Sequence, residues 1–312
     1  MEMPNPDMRD AFFDEVYNIA KSDPNVVFLT ADMGAMSLER FKQDLSRQFI
    51  NVGIAEQNMV SIAAGLTLGG KKVFIYSIIP FVTLRCYEQI KVDLCCMNLP
   101  VTVIGVGAGL TYESDGPTHH AIQDIAVMRA LPEMSIFNPS DCVTAKAFAG
   151  ITYKSSSPSY VRIDKGSFAP LYDEKKTDFG QGLAQLRKGK DVMIVATGVM
   201  VHQALKVAEM LERRSLSAAI VDLYRIKPLN TELLLELAGK AKRIVTLEEN
   251  TISGGIGTAV AEVLSDSAKF IPLKRIAISD KHCFDTGKRD ALHAICNIDN
   301  DSVVKNILDW LK

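Results

Sequence analysis

Short runs of β-branched and aliphatic residues alternate along this chain with longer stretches whose apolar positions recur at helical spacing. The runs "NVVFLTAD" (25–32), "KKVFIYS" (71–77), "PVTVIGVG" (100–107) and "PSYVRID" (158–164) predict strands. Their near-continuous apolar character predicts burial on both faces, as in a parallel sheet. Between them, "AFFDEVYNIAKS", "AEQNMVSIAAGLTL", "TLRCYEQIKVDLCC" and "DCVTAKAFAGITYK" predict helices, with Asp141 placed to cap the last. The pattern lapses in a polar, aromatic-dotted linker, "FAPLYDEKKTDFGQG" (168–182), and then restarts. "DVMIVATG", "LSAAIVDL" and "RIVTLEEN" predict strands; "MVHQALKVAEMLERR", "TELLLELAGKA" and "GIGTAVAEVLS" predict helices. Strand–helix alternation on both sides of the linker predicts an α/β chain. Two doubly wound domains in series are expected, 1–178 and 179–312, each a mostly parallel sheet flanked by helices.

Composition narrows the function classes. The 312 residues are 47% hydrophobic and 23% charged, ordinary for a globular chain of about two domains. A formal net charge of −2 gives no long-range attraction to nucleic acid or an anionic membrane, so neither is an expected partner. No apolar run is long enough to span a bilayer, and "MEMPNPDMRD" does not read as a signal peptide. The six cysteines form no C-x-x-C pair and the five histidines show no metal-ligand spacing. Buried free thiols in a reducing cytoplasm, with no metal site on this chain, are expected.

In such sheets ligands bind beyond the carboxyl ends of the strands, so the segments following strands are the place to look. Three stand out. In "NVGIAEQ", Glu56 opens an alanine-rich helix. It is either an ordinary first-turn acid favoured by the helix dipole, or a carboxyl held dry to exchange a proton with a bound heterocycle. In "YSIIPFVTLRCYEQ" (76–89), Pro80 breaks the chain and Phe81 opens the next helix; a lone Phe is usually a core residue. In "GAGLTYESDGPTHHAIQDIA" (107–126), Asp115, His119 and His120 share a polar loop. They could move protons near neutral pH or simply hold the loop together. Singly, none of the three is specific.

In order, they are. G-I-A-E-Q, then F-V-T-L-R-C-Y-E-Q-I, then D-G-P-T-H followed by "IQDIAVMRALPEMSIFNPSD", resembles the pyrimidine-binding domain of thiamine-diphosphate enzymes of the transketolase type. "TGVMVHQALKVAEML" and "LEENTISGGIG" resemble, more loosely, the transketolase C-terminal domain. The resemblance implies a catalytic, cofactor-binding role for Glu56, hydrogen-bonded to the cofactor's aminopyrimidine ring, and a stacking role for Phe81. It implies that Asp115 and His119 line the substrate channel, His119 also moving protons. His120 stands where the family usually has glutamine, and the resemblance assigns it no role. Arg85 and Tyr87 are read as structural.

Two departures fall on substrate recognition. Gly107 stands where many transketolases have a histidine. Lys165, in "RIDKG", stands where they have an arginine for the sugar phosphate; lysine remains a phosphate binder, but as a point charge. A larger departure is the lack of the Gly-Asp-Gly and later Asn that hold magnesium (or calcium) and the diphosphate. The chain opens at the helix "DMRDAFFDEVYNIAKSD", where a pyrimidine-binding domain would begin. The resemblance thus implies the C-terminal half of a split transketolase. Thiamine diphosphate would be clamped against a separate subunit carrying the diphosphate and metal site, in a heterotetramer, with the second domain helping to dimerise. The expected reaction is transfer of a two-carbon ketol unit between phosphorylated or modified sugars. The alternatives are a deoxyxylulose-phosphate-synthase-like enzyme, a 2-oxoacid dehydrogenase β-subunit, or a non-catalytic subunit that kept the fold. Ala108, where such synthases carry arginine, and the intact D-G-P-T-H loop favour the transketolase reading. Survival of Glu56, Phe81, Asp115 and His119 together argues against the last alternative.

Overall fold

The computed structural model describes residues 7–173 and 177–312; residues 1–6, at the chain start, and 174–176, in the linker, lie outside the described residues. The chain folds as two compact units. One is built from the residues up to Ala108 together with Val127–Thr177, the other from Gly109–Ala126 together with Asp178–Lys312. The linker is therefore not the only crossing: the D-G-P-T-H loop leaves the first half of the sequence and folds with the second.

In the first unit, β1 (Val26–Thr30), β2 (Phe49–Asn51), β3 (Lys72–Ile78), β4 (Val101–Val106), β5 (Ser135–Phe137) and β6 (Ser159–Ile163) pair in the order β2-β1-β3-β4-β6-β5. Every pairing is parallel. The apolar runs behave as predicted: β1, β4 and β6 are buried along their whole length. An aromatic cluster fixes the helix Met8–Ser22 on this sheet. Phe13 meets Phe28 edge-on at 5.3 Å and Tyr76 at 4.8 Å, pairs worth about 0.5–1.5 kcal/mol each beyond their burial. At the start of that helix, Asp7 accepts from the N–H of Arg9 at 2.9 Å and, with its other oxygen, from Gly166 at 2.7 Å. One carboxylate thus caps a helix and pins the segment that follows β6. Asp141 caps Cys142–Tyr153 as predicted, in a capping box with Thr144.

The second unit contains β7 (Ala184–Arg187), β8 (Val192–Ala196), β9 (Ala218–Asp222), β10 (Arg225–Lys227), β11 (Ile244–Thr251) and β12 (Leu273–Ile278). Five of these form a sheet in the order β12-β11-β8-β9-β7, parallel except for β7, which runs against β9. Glu248, near the end of β11, accepts from the N–H groups of Ile256 and Gly257 at 2.8 Å each and so caps the helix Ile256–Asp266. A Cβ on Gly255 would lie 2.0 Å from the Glu248 carboxylate, which is why the turn carries glycine there.

The structure departs from the predicted helix over 83–96. Pro80 sits in the first turn of a short helix, Ile79–Val82, where its missing N–H leaves no bond unmade. The chain then turns through 83–86 and re-enters helix at Tyr87–Gln89, with a wider π-helical turn over Ile90–Cys95. Side chains add to the backbone bonds at the break: the Thr83 hydroxyl joins its own N–H on Ile79 C=O, at 2.6 Å, and the Cys86 thiol donates to Phe81 C=O at 3.2 Å. All six cysteines are free thiols, but Cys96 is exposed and Cys296 half-buried, against the expectation of uniform burial. Among the described residues no helix is long and apolar enough to cross a membrane.

Candidate functional site

Glu56 is the first residue of the helix Glu56–Leu68, preceded by Ala55, which offers no side-chain cap. A first-turn acid that merely complemented the helix dipole would stay in water. Glu56 is only 3% exposed. Its partner is Arg85, in the turn after Phe81, whose Nη1 donates to Glu56 Oε2 at 2.8 Å. The same guanidinium lies over the Phe81 ring, 4.3 Å from its centroid. Gln57 Nε2 donates to Arg85 C=O at 3.2 Å, tying the turn to the helix that carries Glu56. The pair is lopsided: the Arg85 side chain is 44% exposed, that of Glu56 4%. Burial, reinforced by the Glu56 charge and opposed by Arg85, pushes the neighbouring Cys86 thiol up to about 12, so this cysteine is an inert packing residue.

Lys165 follows β6 and is exposed. It stands between Asp164, whose carboxylate accepts the Lys165 N–H at 2.8 Å, and Gly166, pinned by Asp7. Gly107, at the end of β4, has φ +91° and donates its N–H to Ile163 C=O at 2.9 Å. A histidine there would be strained, so its replacement goes with the backbone conformation rather than with chemistry alone.

Asp115 and His119 lie in the second unit, Asp115 within and His119 just after a 3-10 segment, Glu113–Thr118, that kinks at Gly116 (φ +71°). Asp115 is exposed. His119 is half-buried, its Nδ1 3.0 Å from the Thr118 hydroxyl and its ring 5.6 Å from that of Tyr112. His120 is buried, with Nε2 donating to Glu113 C=O at 3.3 Å, which fixes the tautomer and leaves Nδ1 without a partner among the described residues. Burial, stronger than the opposing bond to Glu113, holds its proton affinity below the usual histidine range, so it is neutral at pH 7.

The loop is held by Glu249, to which no sequence motif assigned a role. Glu249 is 3% exposed and accepts from the N–H of Leu110 at 3.0 Å, from Arg289 through Nε at 3.0 Å and through Nη2, and from His293 Nε2 at 2.7 Å. Burial would raise its proton affinity; the Arg289 charge and the His293 and Arg289 hydrogen bonds outweigh burial and hold the carboxyl well below the usual range. Glu113 adds a second tie, accepting from Arg289 N–H at 3.1 Å. The far end of the loop is fixed where Thr251 N–H donates to Ile122 C=O at 2.7 Å. Within "LEEN", then, Glu248 caps a helix and Glu249 carries the D-G-P-T-H loop. The repeated acid before Gly-Gly was the available signal.

The site and fold define a class: residues 4–170 match the transketolase pyrimidine binding domain and residues 181–303 the transketolase C-terminal domain. The chain belongs to the transketolase family. It is 34% identical over 306 residues to one of the subunits of the apulose-4-phosphate transketolase of Phocaeicola vulgatus, covering 97% of each chain. It is 35% identical over 279 residues to a 6-deoxy-6-sulfo-D-fructose transketolase subunit of a Clostridium species, covering 89% of this chain and 85% of that one. A 1-deoxy-D-xylulose-5-phosphate synthase of Crocosphaera subtropica is 36% identical over 311 residues, but the chain spans 48% of it. Among solved structures, a split gene transketolase described as an inactive beta4 tetramer superimposes with a TM-score of 0.89 at 32% identity, covering 97% of both chains.

Proposed function

We propose that this chain is the pyrimidine-binding half of a split transketolase, transferring a two-carbon ketol unit between phosphorylated or otherwise anionic sugars. The observation that carries the reading is the trio Glu56, Phe81 and Arg85. A buried carboxylate and an aromatic face already receive a planar, nitrogen-rich group by one hydrogen bond and one contact over the ring. A cofactor aminopyrimidine needs the same two contacts, so the residues present fit it. Thiamine diphosphate, when bound, supplies the carbon nucleophile for the transfer.

Glu56 would hold the proton shared with a ring nitrogen, in a place too dry for water to compete, and Phe81 would orient the ring. Asp115 and His119 would meet the sugar hydroxyls, His119 moving a proton, and Lys165 would attract the anionic terminus. Among the described residues no group of three or more His, Cys, Asp or Glu is arranged for a metal. We assign the divalent cation and the diphosphate to a separate subunit, in a heterotetramer. Relatives named for apulose-4-phosphate and a sulfonated fructose support a substrate with an anionic end.

The test is reconstitution with a second polypeptide that carries the diphosphate-binding domain. Glu56→Gln should assemble normally and lose at least about a hundredfold in turnover. Full-speed turnover by that variant overturns the reading. Transfer by this chain alone, with thiamine diphosphate and magnesium, overturns the split arrangement. The synthase resemblance supports a second reading, separated by assaying pyruvate with glyceraldehyde 3-phosphate against ketose donors.

A further inference from the structure

Arg85 makes both of the contacts that a cofactor ring would need. Its guanidinium is planar, donates to Glu56 at 2.8 Å and covers the Phe81 ring at 4.3 Å. A ring stacked on the face of Phe81 that Arg85 covers would need the same layer, and the Arg85 N–H takes one oxygen of the same carboxylate. On that face the two occupants exclude one another.

We propose that Arg85 is a placeholder: it occupies the aminopyrimidine seat in the cofactor-free chain and leaves when the ring arrives. The inference rests on the functional reading of Glu56 and Phe81 as that seat, and adds a role to a residue the sequence had marked as structural. Three features suit it. The Arg85 side chain is 44% exposed, so water can receive its charge, whereas Glu56 at 4% cannot follow. Arg85 stands in the turn over 83–86, outside any helix, and its neighbour Leu84 is itself 43% exposed, so swinging outward unpacks little. A buried carboxylate left without a partner would be destabilising, and Arg85 removes that penalty while the seat is empty.

The consequence is a reduced apparent affinity. If the open conformer is about a tenth of the population, the apparent Kd is raised about tenfold over the intrinsic one. The test uses the complex with the diphosphate-binding subunit and titration calorimetry with thiamine diphosphate and magnesium. Arg85→Met and Arg85→Gln should both bind about tenfold tighter than wild type, and should show a larger cofactor-induced rise in Tm. Arg85→Lys, which keeps a charge for Glu56 but no planar face for Phe81, should fall between. Weaker or unchanged affinity in Met and Gln variants that melt cooperatively overturns the proposal, because Arg85 would then be a permanent support of Glu56. No binding by wild type or any variant overturns the functional reading itself, and this inference with it.

Discussion

Glu249 reaches across 139 residues of sequence to accept the N–H of Leu110 at 3.0 Å, while Arg289 and His293 hold the same carboxylate. The loop bearing Asp115 and His119 is thereby mounted on the strand β11 of the second unit. A unit to which the sequence assigned only self-association carries the scaffold of a candidate substrate loop.

Removing this support is expected to be strongly destabilising. Glu249→Ala leaves Arg289, 16% exposed, and His293, 8% exposed, without the carboxylate they share. A loss of about 3–5 kcal/mol is expected, read from the urea unfolding transition of the second unit. Amide exchange should accelerate over 109–122 and stay unchanged in β1. Equal protection of the loop in the variant and in wild type would contradict the support role.

Close approach makes a second, steric demand at the same place. Gly109 has φ +60°, and a Cβ on it would sit 2.1 Å from the Glu249 carboxylate. Gly109→Ala is expected to destabilise by about 2 kcal/mol or more, through both overpacking and the left-handed backbone. Differential scanning calorimetry should show this as a lowered Tm.

Acid should loosen the loop in two stages. His120 has its affinity for protons lowered by burial, so the unfolded chain binds a proton before the folded one does; its contribution is present above the ordinary value of 6.5 and is lost as pH falls below it. Glu249 is also depressed, so its contribution is present above the ordinary glutamate value of 4.5 and is lost on further acidification. Loop exchange measured against pH should rise below each value. Glu249→Gln should remove the second rise and His120→Gln the first.

Lys165 tests the anionic terminus. An exposed ammonium contacting a phosphate or sulfonate is worth about 1.5 kcal/mol, so Lys165→Ala should raise KM about tenfold for a charged sugar and leave kcat intact. Steady-state kinetics with the uncharged sugar should show no change. Unaltered KM for every charged substrate tried would remove the role.

Legibility in the sequence followed the range of the forces involved. β1, β4 and β6 were readable because burial on both faces leaves one uninterrupted apolar signal. β2 and β5, three residues each, have too few positions to show any period, and only the neighbouring strand makes them strands. At the break over 83–86 the Cys86 thiol takes the carbonyl five residues back, a local side-chain choice that no apolar period announces. Glu56 and Phe81 were singled out through the motif they resemble. Arg85 was not, since no local pattern says which carboxylate an arginine will reach. Ownership of the 109–126 loop was illegible for the same reason: it is decided by Glu249 and Thr251, far along the chain.

That ownership sets where the gene can be cut. A chimera that takes its second half from a relative, joined only within the 168–182 linker, would mate a foreign β11 with this chain's own Gly109–Ala126 insert. Exchanging the insert along with the second half, through two extra junctions near 108 and 127, keeps Leu110, Glu113, Glu249 and Arg289 as one inherited set.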